Sequence, residues 1–166
     1  MFLRKDFPGL VLAAGLFLIP VILAGQGMRG GDIAFDMDVA RFGAGDGWTY
    51  LEIYFSVSRN AATHVRTDSG FLARLETDIR IMKRDSVLMH KRDILIDPVH
   101  DLSELEAVSD LYNVFPFYLK PGKYDIRFQV TDLNSGKSGW IERPAAVTGF
   151  QDDDLRLSDI QLATQI

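Results

Sequence analysis

From Tyr124 to Val130 the chain alternates without a break: Tyr124, Ile126, Phe128 and Val130 are apolar, and Asp125, Arg127 and Gln129 are polar. A period of two puts one set on each face of an extended strand, and no helix buries such a pattern on one side. The alternation recurs along the chain. Ile33, Phe35, Met37 and Val39 share a face opposite Asp36 and Asp38, and Leu51, Ile53, Phe55 and Val57 share one opposite Glu52. Phe71, Leu75, Ile79 and Ile81 stand against Arg74, Glu76, Asp78 and Arg80. Residues 86–96 read as a return strand whose poorer alternation predicts a bulge or a change of face. Residues 114–119, a short strand carrying Trp140, and final edge strands at 147–150 and 155–162 complete the set.

Turn chemistry separates these runs. Gly43-Ala44-Gly45-Asp46-Gly47 joins two alternating segments as a hairpin, and Lys83-Arg84-Asp85 makes a polar turn. At Lys120-Pro121-Gly122-Lys123, Pro121 presets φ and Gly122 suits the positive φ of a type II turn. Tyr124 directly follows, as in the tyrosine corner of immunoglobulin-like sandwiches, where the hydroxyl bonds upstream backbone near residues 118–120. Ser103 and Glu106 match a helix capping box, but Leu102, Leu105 and Val108 support barely two turns. Residues 102–111 are therefore expected to be a loop with at most one short helix. The fold class that follows is all-β, an antiparallel immunoglobulin-like β-sandwich of about 7–9 strands behind an N-terminal signal helix.

The N-terminus reads as an address. Arg4 and Lys5 precede an uncharged apolar run over 10–24, broken only by Gly15 and Pro20 and ending at Ile22-Leu23-Ala24. That run is shorter than the roughly 20 residues of a spanning helix and carries a small residue at its end, as signal peptides do. The expected organisation is a signal peptide or signal anchor over 1–24, a flexible Gly-rich lead-in over 25–32 and the sandwich over 33–166. The domain is then extracytoplasmic, periplasmic or secreted, with membrane contact only if the first segment stays uncleaved.

Composition narrows the chemistry. With 47% hydrophobic and 25% charged residues the chain is ordinary globular material, far from the disordered regime. A net charge of −5 gives no electrostatic footprint for nucleic acid. The absence of cysteine excludes disulfides, thiolate metal sites, Cys nucleophiles and a lipid-bearing Cys.

Candidate motifs mostly reduce to turns and surface groups. The 43–47 run lacks the third glycine of a dinucleotide fingerprint, since position 48 is Trp48, and precedes a strand rather than a helix. Asp132-Leu133-Asn134-Ser135-Gly136 opens like a calcium loop, but Lys137 and Arg143 stand where that loop needs Gly and Glu, so a turn is expected. Asp152-Asp153-Asp154 would point to alternating faces in a strand and reads as a solvated loop. His64, His90 and His100 have no zinc spacing. His100-Asp101 resembles a base with its orienting carboxylate, yet no Gly-x-Ser-x-Gly elbow is present to offer a nucleophile. No catalytic set and no cofactor is indicated. Trp48, Tyr50, Tyr54, Tyr112, Tyr118 and Trp140 are the remaining candidates. Tyr50 and Tyr54 lie opposite the inward Leu51, Ile53 and Phe55, so with Trp48 and Trp140 they are the candidate ligand platform.

Several short pieces carry a family resemblance. Asp46-Gly47-Trp48-Thr49-Tyr50-Leu51-Glu52-Ile53-Tyr54, Leu119-Lys120-Pro121-Gly122-Lys123-Tyr124, Val130-Thr131-Asp132 and Leu157-Ser158-Asp159-Ile160-Gln161-Leu162-Ala163 resemble the N-terminal domain of bacterial GWxTD-domain-containing proteins. The naming GWxTD domain itself is absent, and no functional residues carry over. The resemblance implies an exported sandwich module whose partner is a protein, either a missing C-terminal domain or another exported protein. A non-catalytic interaction or structural module is thus the expected function. The alternative is a carbohydrate- or peptide-binding domain of a larger secreted protein that uses exposed aromatics. A final strand over 155–162, blunted only by Arg156 and Asp159, is expected to leave an open edge for strand addition or for a further domain.

Overall fold

The structure, a computed structural model, describes residues 27–106, 110–150 and 159. Among them are nine strands: β1 (Met28–Gly31), β2 (Asp36–Gly43), β3 (Thr49–Ser58), β4 (Val65–Thr67), β5 (Gly70–Lys83), β6 (Ser86–Val99), β7 (Asp110–Leu119), β8 (Gly122–Asp132) and β9 (Ser138–Val147). They form two antiparallel sheets, so the protein is an all-β sandwich. β1, β9, β8 and β5 lie side by side in a six-stranded sheet, with β6 on the far side of β5 and β4 against its start. β2, β3 and β7 make the three-stranded sheet. The chain crosses between the sheets from β1 to β2, β3 to β4, β6 to β7 and β7 to β8.

Alternation decides which side chains fill the space between the sheets. Along β3 each inward residue is buried and each outward one from Tyr50 to Ser56 only half so. Leu51, Ile53 and Phe55 thereby face Leu75, Ile79 and Ile81 of β5 and Ile126, Phe128 and Val130 of β8 in one core. Phe128 is its hub, with ring centroids 5.2 Å from Phe35, 5.2 Å from Phe55 and 5.8 Å from Phe115. Each such side chain contributes about 1.5–3 kcal/mol on burial, so packing outweighs any single polar contact.

The turns explain the registers. Gly45, Asp46 and Gly47 all take left-handed φ (73°, 50° and 66°), and the Trp48 N–H closes the hairpin onto the Gly45 carbonyl at 2.8 Å. β5 and β6 shift register between Ile81 and Met82, the bulge that the poor alternation of 86–96 predicts. The alternation there is poor for a second reason. β6 pairs only with β5 among the described residues, and most of its side chains are exposed on both faces.

Five expectations are corrected. The lead-in over 25–32 contains strand β1, whose Gly30 lies beneath the Trp140 ring, where a Cβ would sit 3.1 Å from the indole. Gly122 is not among the left-handed glycines, so no type II turn forms; its lack of a side chain leaves room for the Tyr124 ring, 3.3 Å from where a Cβ would be. The capping box is Asp101 with Glu104 rather than Ser103 with Glu106, and it starts a one-turn 3-10 helix over Leu102–Leu105. Residues 148–150 are not a strand; instead β9 runs through Pro144 to Val147. Pro144 is tolerated because β1 pairs only as far as Glu142, so no ladder bond is asked of its missing N–H on that side. Strand β4 is an addition, too short to show alternation in the sequence. The signal segment, Asp152-Asp153-Asp154 and the strand at 155–162 lie outside the described residues apart from Asp159. That residue bonds the edge of β2, with its N–H on the Arg41 carbonyl (3.1 Å) and its carboxylate on the Arg41 N–H (3.0 Å) and Nε (2.6 Å).

Candidate functional site

The outward positions of the three-stranded sheet gather the aromatic residues. The register sets Phe42 of β2 opposite Tyr50 of β3, and Tyr50 opposite Tyr118 of β7. Their ring centroids are 6.2 Å and 5.1 Å apart, with interplanar angles of 43° and 47°. One step further along the strip, Trp48 is 39% exposed and the Lys120 ammonium lies 4.2 Å from its ring centroid, a cation–π contact held by a 3.0 Å bond from Nζ to the Asp46 carbonyl. In the other direction the face continues through Tyr54, whose hydroxyl bonds Glu52, to Val114 and Tyr112. Tyr118 and Tyr112 are 56% and 66% exposed. Partial burial and the Glu52 carboxylate push the Tyr50 phenol up from its ordinary value, so it stays neutral at physiological pH.

Trp48, Tyr50 and Tyr54 therefore share one surface. Trp140 does not. It stands on the outer face of the six-stranded sheet, over Gly30 and opposite Gln129, beside a depression of about 260 Å³ that also touches Asp78, Arg80, Arg127 and Glu142. The expected four-residue platform is split because Trp140 and the β3 tyrosines belong to different sheets. Tyr118 and Phe42 replace Trp140 in the strip. The cross-strand register that joins them cannot be read from either strand alone.

Tyr124 ties this strip to the core. Its ring is buried at 3% exposure and its hydroxyl donates to the Lys120 carbonyl at 2.7 Å, the geometry of a tyrosine corner. Pro121 lies in the turn between the two, and Gly122 opens β8. The residue whose backbone is held by Tyr124 is thus the residue whose side chain covers Trp48.

The polar side chains elsewhere are bonded to each other. Burial opposes ionisation of Asp78, but hydrogen bonds from Arg92 (2.7 Å), His90 (3.0 Å) and Arg80 outweigh it and hold the carboxyl at about 2. Burial likewise opposes ionisation of Asp97, and its bonds from Arg59 (2.8 and 2.7 Å) and His64 (2.9 Å) prevail, leaving its carboxyl below the ordinary value. Asp132, fully buried at the end of β8, accepts from the N–H groups of Thr63 and Asn134 and from the Ser135 hydroxyl. The calcium-like run is thus a closed turn. His100 is exposed and bonds Glu104 through its backbone N–H, while Asp101 caps the Ser103 N–H, so the two do not form a base with its orienting carboxylate. Among the described residues no group of three His, Cys, Asp or Glu side chains is placed to hold a metal ion.

These features define an all-β sandwich with one aromatic outer face and one ion-paired outer face. No protein-family model matches the sequence, and no curated protein matches it.

Proposed function

We propose that this chain is an exported, non-catalytic interaction module that docks another protein on the outer face of β2, β3 and β7. The observation that carries the reading is the aromatic face of β2, β3 and β7, with Trp48, Tyr50, Phe42 and Tyr118 on one side of Glu52 and Tyr54 and Tyr112 on the other. A strand face in a soluble sandwich is ordinarily polar, and an aromatic patch rimmed by Asp38 and Lys120 with one carboxylate, Glu52, at its centre is the composition of a protein interface. The tilt of the rings favours protein over sugar. A pyranose ring stacks on a flat surface, whereas Tyr50 meets Phe42 at 43° and Tyr118 at 47°, so the three rings do not form one plane. The pieces that resemble GWxTD-domain-containing proteins support the same reading, since two of them contribute Trp48, Tyr50, Tyr54 and Lys120 to this face. The basic and apolar N-terminal segment supports export.

The test places a photo-activated cross-linker at position 118 in cells expressing the full chain. The expected result is one defined protein adduct, absent when the probe replaces Trp140, and lost on Tyr50→Ala. Binding to a glycan array that disappears in Tyr118→Ser, without any protein adduct, would transfer the function to the carbohydrate reading. Neither signal would remove the aromatic face as a binding surface.

A further inference from the structure

We propose that a second copy of this chain pairs antiparallel with the free edge of β6, with Arg92 of each copy on the two-fold axis, joining two six-stranded sheets into one. This surface is separate from the aromatic face, and the pairing does not depend on the function proposed above.

β6 combines three features. It is an edge, paired as a strand only with β5 among the described residues, its Ile94 N–H resting on its own Asp93 carboxylate at 2.9 Å until a partner strand takes it. It exposes four large apolar side chains, Val87 (52%), Leu88 (52%), Ile94 (49%) and Ile96 (58%), which is unusual for a strand that ends its sheet in water. Its inward positions between Met89 and Leu95 carry Lys91 and Asp93, both exposed. Inward-pointing charge normally forbids edge pairing, because a neighbouring strand would bury it unpaired.

Symmetry turns that prohibition into a filter. In antiparallel pairing about a two-fold axis normal to the sheet, facing residues must come from the same face of each copy, so the register is set by the residue on the axis. With Arg92 there, Lys91 of each copy faces Asp93 of the other, Met89 faces Leu95, and the His90 ring lies beside Ile94. The bulge at Leu88 meets Ile96. Shifting the axis to Lys91 sets ammonium against ammonium and His90 against Arg92. Placing it at Asp93 sets carboxylate against carboxylate and Met89 against Asp97. An axis at Ile94 directs Lys91 to Asp97, which Arg59 and His64 already hold. An axis at His90 sets Leu88 against Arg92 and Val87 against Asp93. Of these five registers, the Arg92 one alone sets Lys91 against Asp93 and Met89 against Leu95. The two Arg92 side chains on the axis are each neutralised within their own chain, by Asp78 at 2.7 Å and Glu76 at 3.8 Å.

Charge reversal tests the register. Sedimentation equilibrium on protein purified from cells expressing the full chain should show a dimer. Lys91→Asp alone, and Asp93→Lys alone, each put two like pairs across the axis and should weaken dimerisation at least roughly tenfold. Mixing these two variants should produce a heterodimer, because the carboxylates at both positions of one chain then face ammonium groups at both positions of the other. The double variant should recover self-association. Both side chains are exposed, so circular dichroism should show the same β signal throughout. A wild-type chain that stays monomeric at all accessible concentrations, single variants that remain fully dimeric, or a mixture that does not associate would each overturn the pairing. None of those results bears on the cross-linking at position 118.

Discussion

Outward positions on the six-stranded sheet hold Asp78, Arg80, Arg92, Arg127 and Glu142, whereas those on the three-stranded sheet hold Phe42, Tyr50, Tyr54, Val114 and Tyr118. Both sets arise from the same period-two alternation, with the inward half of each strand spent on one shared core. The charged face satisfies itself: Asp78 takes Arg80, Arg92 and His90, and Arg127 takes Glu142 at 2.9 Å. The aromatic face cannot, because apolar surface in water is relieved only by covering it. The difference teaches where to look for cohesion and where for contact. Changes on the six-stranded side should cost stability, and changes on the three-stranded face should cost binding with little loss of stability.

The sharpest break on the cohesive side is Asp97→Ala. Asp97 and Arg59 are 7% and 17% exposed at the side chain, and His64 is 1% exposed. Removing the carboxylate takes two charge-assisted bonds from Arg59 and one from the His64 ring in a nearly dry site, which should cost about 2–3 kcal/mol. Urea denaturation should show the midpoint fall with an unchanged slope. A loss below about 0.5 kcal/mol would mean that water replaces the carboxylate freely, and that this side of the molecule is no more self-contained than the other.

Acid should act on the same side. The Asp78 carboxyl is held at about 2 against an ordinary 3.8, a depressed acid, so its contribution is fully present above pH 4 and is lost as pH falls through 2. After allowance for half-exposed Arg80 and Arg92, that contribution is about 1–2 kcal/mol. Stability measured between pH 5 and 2 should fall less steeply in Asp78→Asn than in the wild type. Identical slopes would show that the Asp78 cluster is not linked to folding.

Tyr124→Phe probes the junction between the two regions. The variant leaves the Lys120 carbonyl without its 2.7 Å donor and should cost about 1 kcal/mol. It should also loosen Lys120 over Trp48, so indole fluorescence from position 48 should shift toward that of exposed tryptophan. A Trp140→Phe background isolates that signal. An unchanged midpoint and spectrum would deny the corner any role in ordering the strip.

The parts of the fold visible in the sequence are those written locally. Tyr124, Ile126, Phe128 and Val130 declare a strand by their own spacing, and Gly43 to Gly47 declare a turn by composition. What is hidden depends on partners far away in the chain. β1 reads as a flexible lead-in because Met28-Arg29-Gly30-Gly31 has no alternation; its reason to be extended is the β9 edge and the Trp140 ring above Gly30. β9 reads as short because Pro144-Ala145-Ala146 suggests a break, yet the ladder with Gly122 to Asp125 carries it on. The candidate site divides the same way. Parity along one strand turns Tyr50 and Tyr54 outward, but nothing local says that Tyr118 and Phe42 flank them or that Trp140 falls on the other sheet. Polar clusters such as Arg59 with His64 and Asp97 are likewise invisible, because their members lie far apart in the chain and bear no spacing signature.

The smallest stability effect should come from Tyr118→Ser, and it is the one that decides whether the two faces differ in purpose. Tyr118 is 56% exposed and its main contact is the Tyr50 ring at 5.1 Å, a cross-strand pair worth roughly 0.5 kcal/mol or less at such exposure. Its removal should leave the urea midpoint nearly unchanged while abolishing the protein adduct that a cross-linker placed at Tyr54, on the same face, would otherwise form. Exchanging Asp78 for Asn on the other face should do the reverse: a loss of about 1–2 kcal/mol from its Arg80, His90 and Arg92 bonds, and no change in the adduct. If Tyr118→Ser instead destabilises the fold by about 2 kcal/mol, the aromatic strip is structural cladding for β3 and β7, and the division between a cohesive face and a contact face fails.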